Sequence, residues 1–186
     1  MENTFTKLKE NENAEFLKSE KKWWNGHAYL PLKNYHLNYK YLNGKIIIHY
    51  EFRQSEFSKP SMIDGGAFGD RHNCQVKCKI EIDKSFLNFS ISERGILAKL
   101  FNRKPDLNYV IKCNNENLKN FLKRNQNLKD IFTIVENSPE FSPLIEAKMK
   151  NGNYELNIMY NTQQKNENAL NSINEFCKNL IDYCNR

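Results

Sequence analysis

Two Asn-Gly pairs, Asn43-Gly44 and Asn151-Gly152, each lie at the centre of a stretch of alternating apolar residues. Asn-Gly suits a two-residue type I′ turn, which needs positive φ at both positions. Folding the chain at Asn43-Gly44 sets Tyr41 opposite Ile46, Tyr39 opposite Ile48, Leu37 opposite Tyr50 and Tyr35 opposite Phe52. Folding it at Asn151-Gly152 sets Met149 opposite Tyr154, Ala147 opposite Leu156 and Ile145 opposite Ile158, with Lys148 facing Glu155 on the other side. A slip of one residue would turn every apolar side chain to the wrong face, so both registers are expected to be well specified.

Cys74 to Ile82 also alternates, with Cys74, Val76, Cys78, Ile80 and Ile82 on one face. A four-residue loop, Asp83 to Phe86, would make a third hairpin over 74–92, placing Leu87, Phe89 and Ile91 opposite Ile82, Ile80 and Cys78. A short strand is expected over 108–113. Helical spacing marks segments near 93–102, 115–125 (capped by Asn114 or Asn115), 127–136 and 165–184. Hairpins at 34–53, 74–92 and 143–161, without repeating βαβ units, define an α+β class with a mainly antiparallel sheet. Residues 1–26 are polar with sparse apolar points and are expected to form an N-terminal arm or loosely docked helix, leaving 27–186 as a single domain.

The chain has 186 residues and a formal net charge of +6. Only six of the 28 basic residues are Arg, and the lysines are scattered. Specific nucleic-acid recognition favours clustered Arg, whose planar fork matches phosphates and base edges, so that class is disfavoured. The first residues carry charge and no apolar run, and nowhere do ~20 apolar residues occur together as a membrane span requires. With five cysteines, an odd number, the expectation is a reducing, cytoplasmic setting with free thiols.

His72, Cys74 and Cys78 include soft metal ligands, but two cysteines four residues apart on one strand are separated by ~13 Å at ~3.3 Å per residue. They read as buried core thiols, and no metal or cofactor is expected. His36 and His49 fall on the polar face of the first hairpin, where the turn at Asn43-Gly44 would set His36 opposite Glu51 and His49 opposite Asn38. The glycine-rich loop Asp64 to His72 is the best catalytic candidate: Asp64, Asp70, Arg71 and His72 supply acid, base and anion-binding groups. Its glycines do not follow a phosphate-binding fingerprint, and a plain solvated connection, the favoured reading, explains the same composition. Trp23 and Trp24 beside Lys21 and Lys22 suit either packing of the arm or contact with an anionic membrane.

Asp106 to Phe132 resembles a pattern in uncharacterised bacterial domains of unknown function. There a strand of the form Phe-x-Ile-x-[Ser/Cys]-x-[Asn/Asp] leads into a helix, a second helix and a closing hairpin. The matching residues are Tyr109, Ile111 and Cys113, followed by Leu118, Phe121 and Leu122. The resemblance covers roughly the second half of the chain and implies a bacterial domain. Such domains are often tethered by transmembrane helices, and the resemblance carries over no activity and no catalytic residues. The leading expectation is a non-enzymatic, intracellular module that binds another protein. Its rivals are an enzyme built on the 64–72 loop and a peripheral membrane binder.

Overall fold

A computed structural model describes residues 1–55, 70–82, 88–94, 108–138, 141–150 and 152–186. In chain order these form α1 (Glu2–Glu12), β1 (Glu15–Trp24), β2 (Tyr29–Tyr41), β3 (Gly44–Arg53), β4 (Arg71–Glu81), β5 (Phe89–Glu93) and β6 (Tyr109–Cys113). There follow α2 (Glu116–Arg124), α3 (Gln126–Asn137), β7 (Leu144–Lys150), β8 (Asn153–Thr162) and α4 (Glu167–Cys184). The strands make one antiparallel eight-stranded sheet in the order β1-β2-β3-β4-β8-β7-β5-β6. The class is α+β, as the alternating hairpins and amphipathic stripes imply. The expected helix near 93–102 lies outside the described residues, apart from Glu93, which ends β5, and Arg94, which follows it.

One face of the sheet carries the core. Alternation sends Tyr35, Leu37 and Tyr39 of β2, Ile46, Ile48 and Tyr50 of β3, and Cys74, Val76, Cys78 and Ile80 of β4 to the same side. Leu170, Ile173, Phe176, Cys177, Leu180 and Ile181 of α4 belong to the same core, a stripe with helical spacing. Asn166 starts this helix by accepting a 2.9 Å hydrogen bond from the Ala169 N–H. Asn115 caps α2 in the same way through the Leu118 N–H, as one of the two expected caps. Asn125 both ends α2 and caps α3, so one buried residue sets the bend between them.

The two Asn-Gly stretches fold differently. The second keeps the expected register: Ile145, Ala147, Met149 and Lys148 face Ile158, Leu156, Tyr154 and Glu155. Gly152 has φ +78°, while Asn151 lies outside the described residues. The first is shifted by two, with Tyr39 opposite Ile46, Leu37 opposite Ile48 and Tyr35 opposite Tyr50. The turn residues are Leu42 and Asn43; Leu42 takes the left-handed φ of 50°, and Gly44 does not. The cause is packing. A Cβ on Gly44 would lie 2.5 Å from Ile181 Cδ1 and 2.8 Å from its Cγ1, so glycine is needed where α4 crosses the end of β3. A shift by two residues keeps each side chain on its face, so the apolar alternation could not reveal it.

The third expected hairpin is also corrected. β4 pairs with β3 on one edge and β8 on the other, leaving none for β5. β5 lies between β7 and β6, so Ile91 faces Ile145 and Ile111 rather than Cys78, and Phe89 faces Ala147 and Cys113 rather than Ile80. Alternation told which way these side chains point, not which strand lies alongside. The N-terminal residues differ from a loosely docked arm. Phe5 of α1 is fully buried and stacks on Phe16 and Tyr35 at 5.8 and 5.3 Å between centroids. Asn13 adopts the left-handed conformation at the end of α1 (φ 49°), and the chain turns there into β1, which pairs with β2 from Glu15 to Trp24.

Candidate functional site

Among the described catalytic candidates of the glycine-rich loop, Arg71 and His72 are not brought together. Asp64 lies outside the described residues. Asp70 precedes β4 and accepts a 2.8 Å hydrogen bond from the Ser55 N–H. Arg71 and His72 are successive strand residues and point to opposite faces, Arg71 exposed and His72 buried. His72 packs against Phe52, and its Nδ1 is 2.6 Å from the Tyr50 hydroxyl. Burial lowers the His72 pKa, against the opposing pull of Asp70. The residue is a core group, not a solvent-facing loop side chain.

The thiols of Cys74, Cys78 and Cys184 are poorly placed for nucleophilic chemistry. Cys74 and Cys78 are buried neighbours on one face of β4, and all five cysteines are free. Burial pushes the Cys74 and Cys184 thiols up to about 12 and raises Cys78 as well, through its contact with Cys177 and its burial. A thiol so disfavoured as thiolate is a poor nucleophile at neutral pH.

The Trp-Lys stretch is divided by the strand it lies on. Trp23 and Lys21 point to one face of β1, Trp24 and Lys22 to the other. Trp24 pairs with Tyr29 across the β1–β2 hairpin with ring centroids 5.1 Å apart, and both rings are largely exposed. An Asx turn closes the hairpin, Asn25 Oδ1 accepting from the His27 and Ala28 N–H groups.

A broad concavity lies on the sheet face away from the core. Among the described residues no helix covers this face, and its strands bound a groove of about 960 Å³. The floor is polar. Glu51 Oε1 accepts from Arg53 Nε (2.8 Å) and Asn73 Nδ2 (3.0 Å), and Gln75 Nε2 donates to Asn157 Oδ1 (3.1 Å). Leu17, Leu144 and Met159 line it as exposed apolar side chains, with relative exposures of 69%, 40% and 39%. Within its lining, His36 and His49 are direct cross-strand partners, Nδ1 to Nδ1 3.2 Å and ring centroids 4.2 Å apart. Burial, His36 and Lys77 lower the His49 pKa.

Sequence reasoning missed this pair because it placed the turn one residue too late. With Leu42 and Asn43 in the turn, His36 meets His49, and Glu51 meets Asn34. The signal that could have found it was Gly44 as a packing glycine, which needs knowledge of α4. No family model, curated protein or solved structure matches the chain.

Proposed function

We propose that the protein is a non-enzymatic binding module that contacts another protein through the open face of its sheet. One observation carries this reading: a groove with a polar, hydrogen-bonded floor and exposed Leu17, Leu144 and Met159, on a face that no described helix covers. Apolar side chains grouped on an exposed concave surface are what interaction sites present, whereas scattered ones need no explanation. Lys21, Lys45 and Lys77 are exposed on the same face and suit a partner with acidic groups around an apolar centre. Arg71 and His72 of the 64–72 set point to opposite faces of β4, so the open sheet face is the better supported site.

The test is a photo-crosslinking side chain at Met159, with Asn117 on α2 as control. The expected result is a protein adduct from position 159, absent from position 117 and suppressed by Leu144→Glu. Adducts from 117 alone, or none from 159 in the protein's own cell, would overturn the reading. The exposed Trp24–Tyr29 pair, with Lys22 on the same side of the hairpin, favours a second reading as an anionic-membrane contact. Its basic part is screened within ~8 Å at physiological ionic strength. Sedimentation with anionic vesicles should then fall at high salt and in Trp24→Ala; equal supernatant recovery at both salt concentrations removes it. No described helix is long and apolar enough to cross a membrane.

A further inference from the structure

We propose that His36 and His49 form a two-histidine site for a late first-row divalent ion of the zinc or copper class. The proposal does not depend on anything docking on the sheet face. It departs from the expectation of no metal, which rested on the separation of Cys74 and Cys78 along one strand and did not weigh these two histidines.

Geometry carries it. The two Nδ1 atoms are 3.2 Å apart. Imidazole nitrogens bind zinc at about 2.0–2.1 Å, so one ion shared by these two would subtend roughly 103°, close to the tetrahedral angle. The ring centroids are 4.2 Å apart and the ring planes are tilted by 49°. Their backbones are already held: β2 and β3 are interior strands, paired on the outer sides by β1 and β4. Chelation therefore asks for no strand movement, the condition under which a second ligand adds most to affinity. Imidazole suits zinc and copper better than it suits magnesium or calcium, which prefer oxygen.

The surroundings make the site exchangeable rather than structural. His49 is exposed and His36 half-buried, both lining the groove, so an ion can enter from solvent. Among the described residues no cluster of three His, Cys, Asp or Glu side chains is placed to hold a metal. Water would complete the coordination, with Gln75 alongside His49 in the β3–β4 register. The positive charge of Lys77 acts on His49, so it repels a cation here and weakens the site.

The probe is zinc ion alone, added at pH 7.5 to the full chain in a non-chelating buffer. Imidazole ¹⁵N spectra should show the Nδ1 signals of His36 and His49 moving together and saturating at one ion per chain, while those of His27 and His72 stay. His36→Asn and His49→Asn should each lose roughly a hundredfold in apparent affinity, the contribution of a second linked ligand; His27→Asn should lose none. The spectra are read on the unmodified protein, so a variant that fails to fold leaves the test intact. If zinc leaves both Nδ1 signals in place, the pair is only a hydrogen-bonded couple and the proposal fails. It fails equally if the single variants bind zinc as tightly as the parent.

Discussion

Gly44→Ala tests the packing that sets the first hairpin. The glycine has no positive φ, so alanine there meets no backbone strain. Reduced freedom of the unfolded chain alone would then stabilise the protein by about 0.4–1 kcal/mol. Against this, the new Cβ would lie 2.5 Å from Ile181 Cδ1 and 2.8 Å from Cγ1, inside the contact distance that carbon atoms tolerate. Rotating the outer ethyl bond can move Cδ1 away but not Cγ1, and Ile181 is fully buried with a stiff, β-branched χ1. Overpacking of this kind costs about 1–3 kcal/mol. The steric cost wins, for a net loss of roughly 0.5–2 kcal/mol in urea unfolding. Ile181→Val deletes Cδ1 and by itself costs about 0.5–1.5 kcal/mol. In the double variant part of the clash is gone, so the two losses should be less than additive by about 0.5 kcal/mol or more. A neutral or stabilising Gly44→Ala, or strictly additive losses, would refute the claim that contact with α4 places the turn.

Phe5→Ala should cost about 3–5 kcal/mol in the same assay, as for any large core truncation, because its ring is fully buried against Phe16 and Tyr35; a loss under ~1 kcal/mol would return α1 to a loosely docked arm. Gly152→Ala should lose about 1–2 kcal/mol for the opposite reason to Gly44: nothing lies within 4 Å of its Cβ position, but its φ is +78°. Gly152→Asn should recover much of that loss, since Asn tolerates the left-handed region. Burial lowers the pKa of His72 in the folded state below its unfolded value. Its contribution is therefore complete above the unfolded value near 6.5 and is lost as pH falls toward the folded one, by at most about 1.4 kcal/mol per pH unit. Urea titrations between pH 7.5 and 5 should show that slope reduced in His72→Leu; an unchanged slope would show that His72 is charged in the fold.

The elements were legible where local rules act alone. Helices α2, α3 and α4 begin at Asn115, Asn125 and Asn166, each of which accepts from the N–H three residues on, and a side-chain cap beside an apolar stripe can be read without neighbours. The β7–β8 hairpin was legible for the same reason: its Gly152 has open space around it, so turn chemistry was free to decide. What failed was everything set by a distant element. Phe5 looked like an isolated apolar point, because the aromatic cluster that buries it comes from β1, β2 and β3. The partner of β4 looked like β5 because they are neighbours in sequence, while the sheet inserts β8 and β7 between them.

The open face shows why such errors matter more for function than for fold. Moving the first turn from Asn43-Gly44 to Leu42-Asn43 leaves every inward side chain inward, so the core and the fold class survive the mistake. On the outward face the same move exchanges neighbours. His36 loses Glu51 and gains His49, turning an ordinary acid–base surface pair into two nitrogens 3.2 Å apart. Burial is periodic along a strand and tolerates a shift of two; a site needs particular residues side by side and tolerates none. Asn43 shows how the register is held at the surface. Its side chain donates to the Glu81 carbonyl and accepts from Asn185 Nδ2 at 2.8 Å, and its carbonyl accepts from the Glu81 N–H. The turn is thus joined both to β4 and to the residue that follows α4. Contacts 38 and 142 residues away select among turn positions that the local sequence leaves nearly equivalent, and the histidine pair is a consequence of that selection.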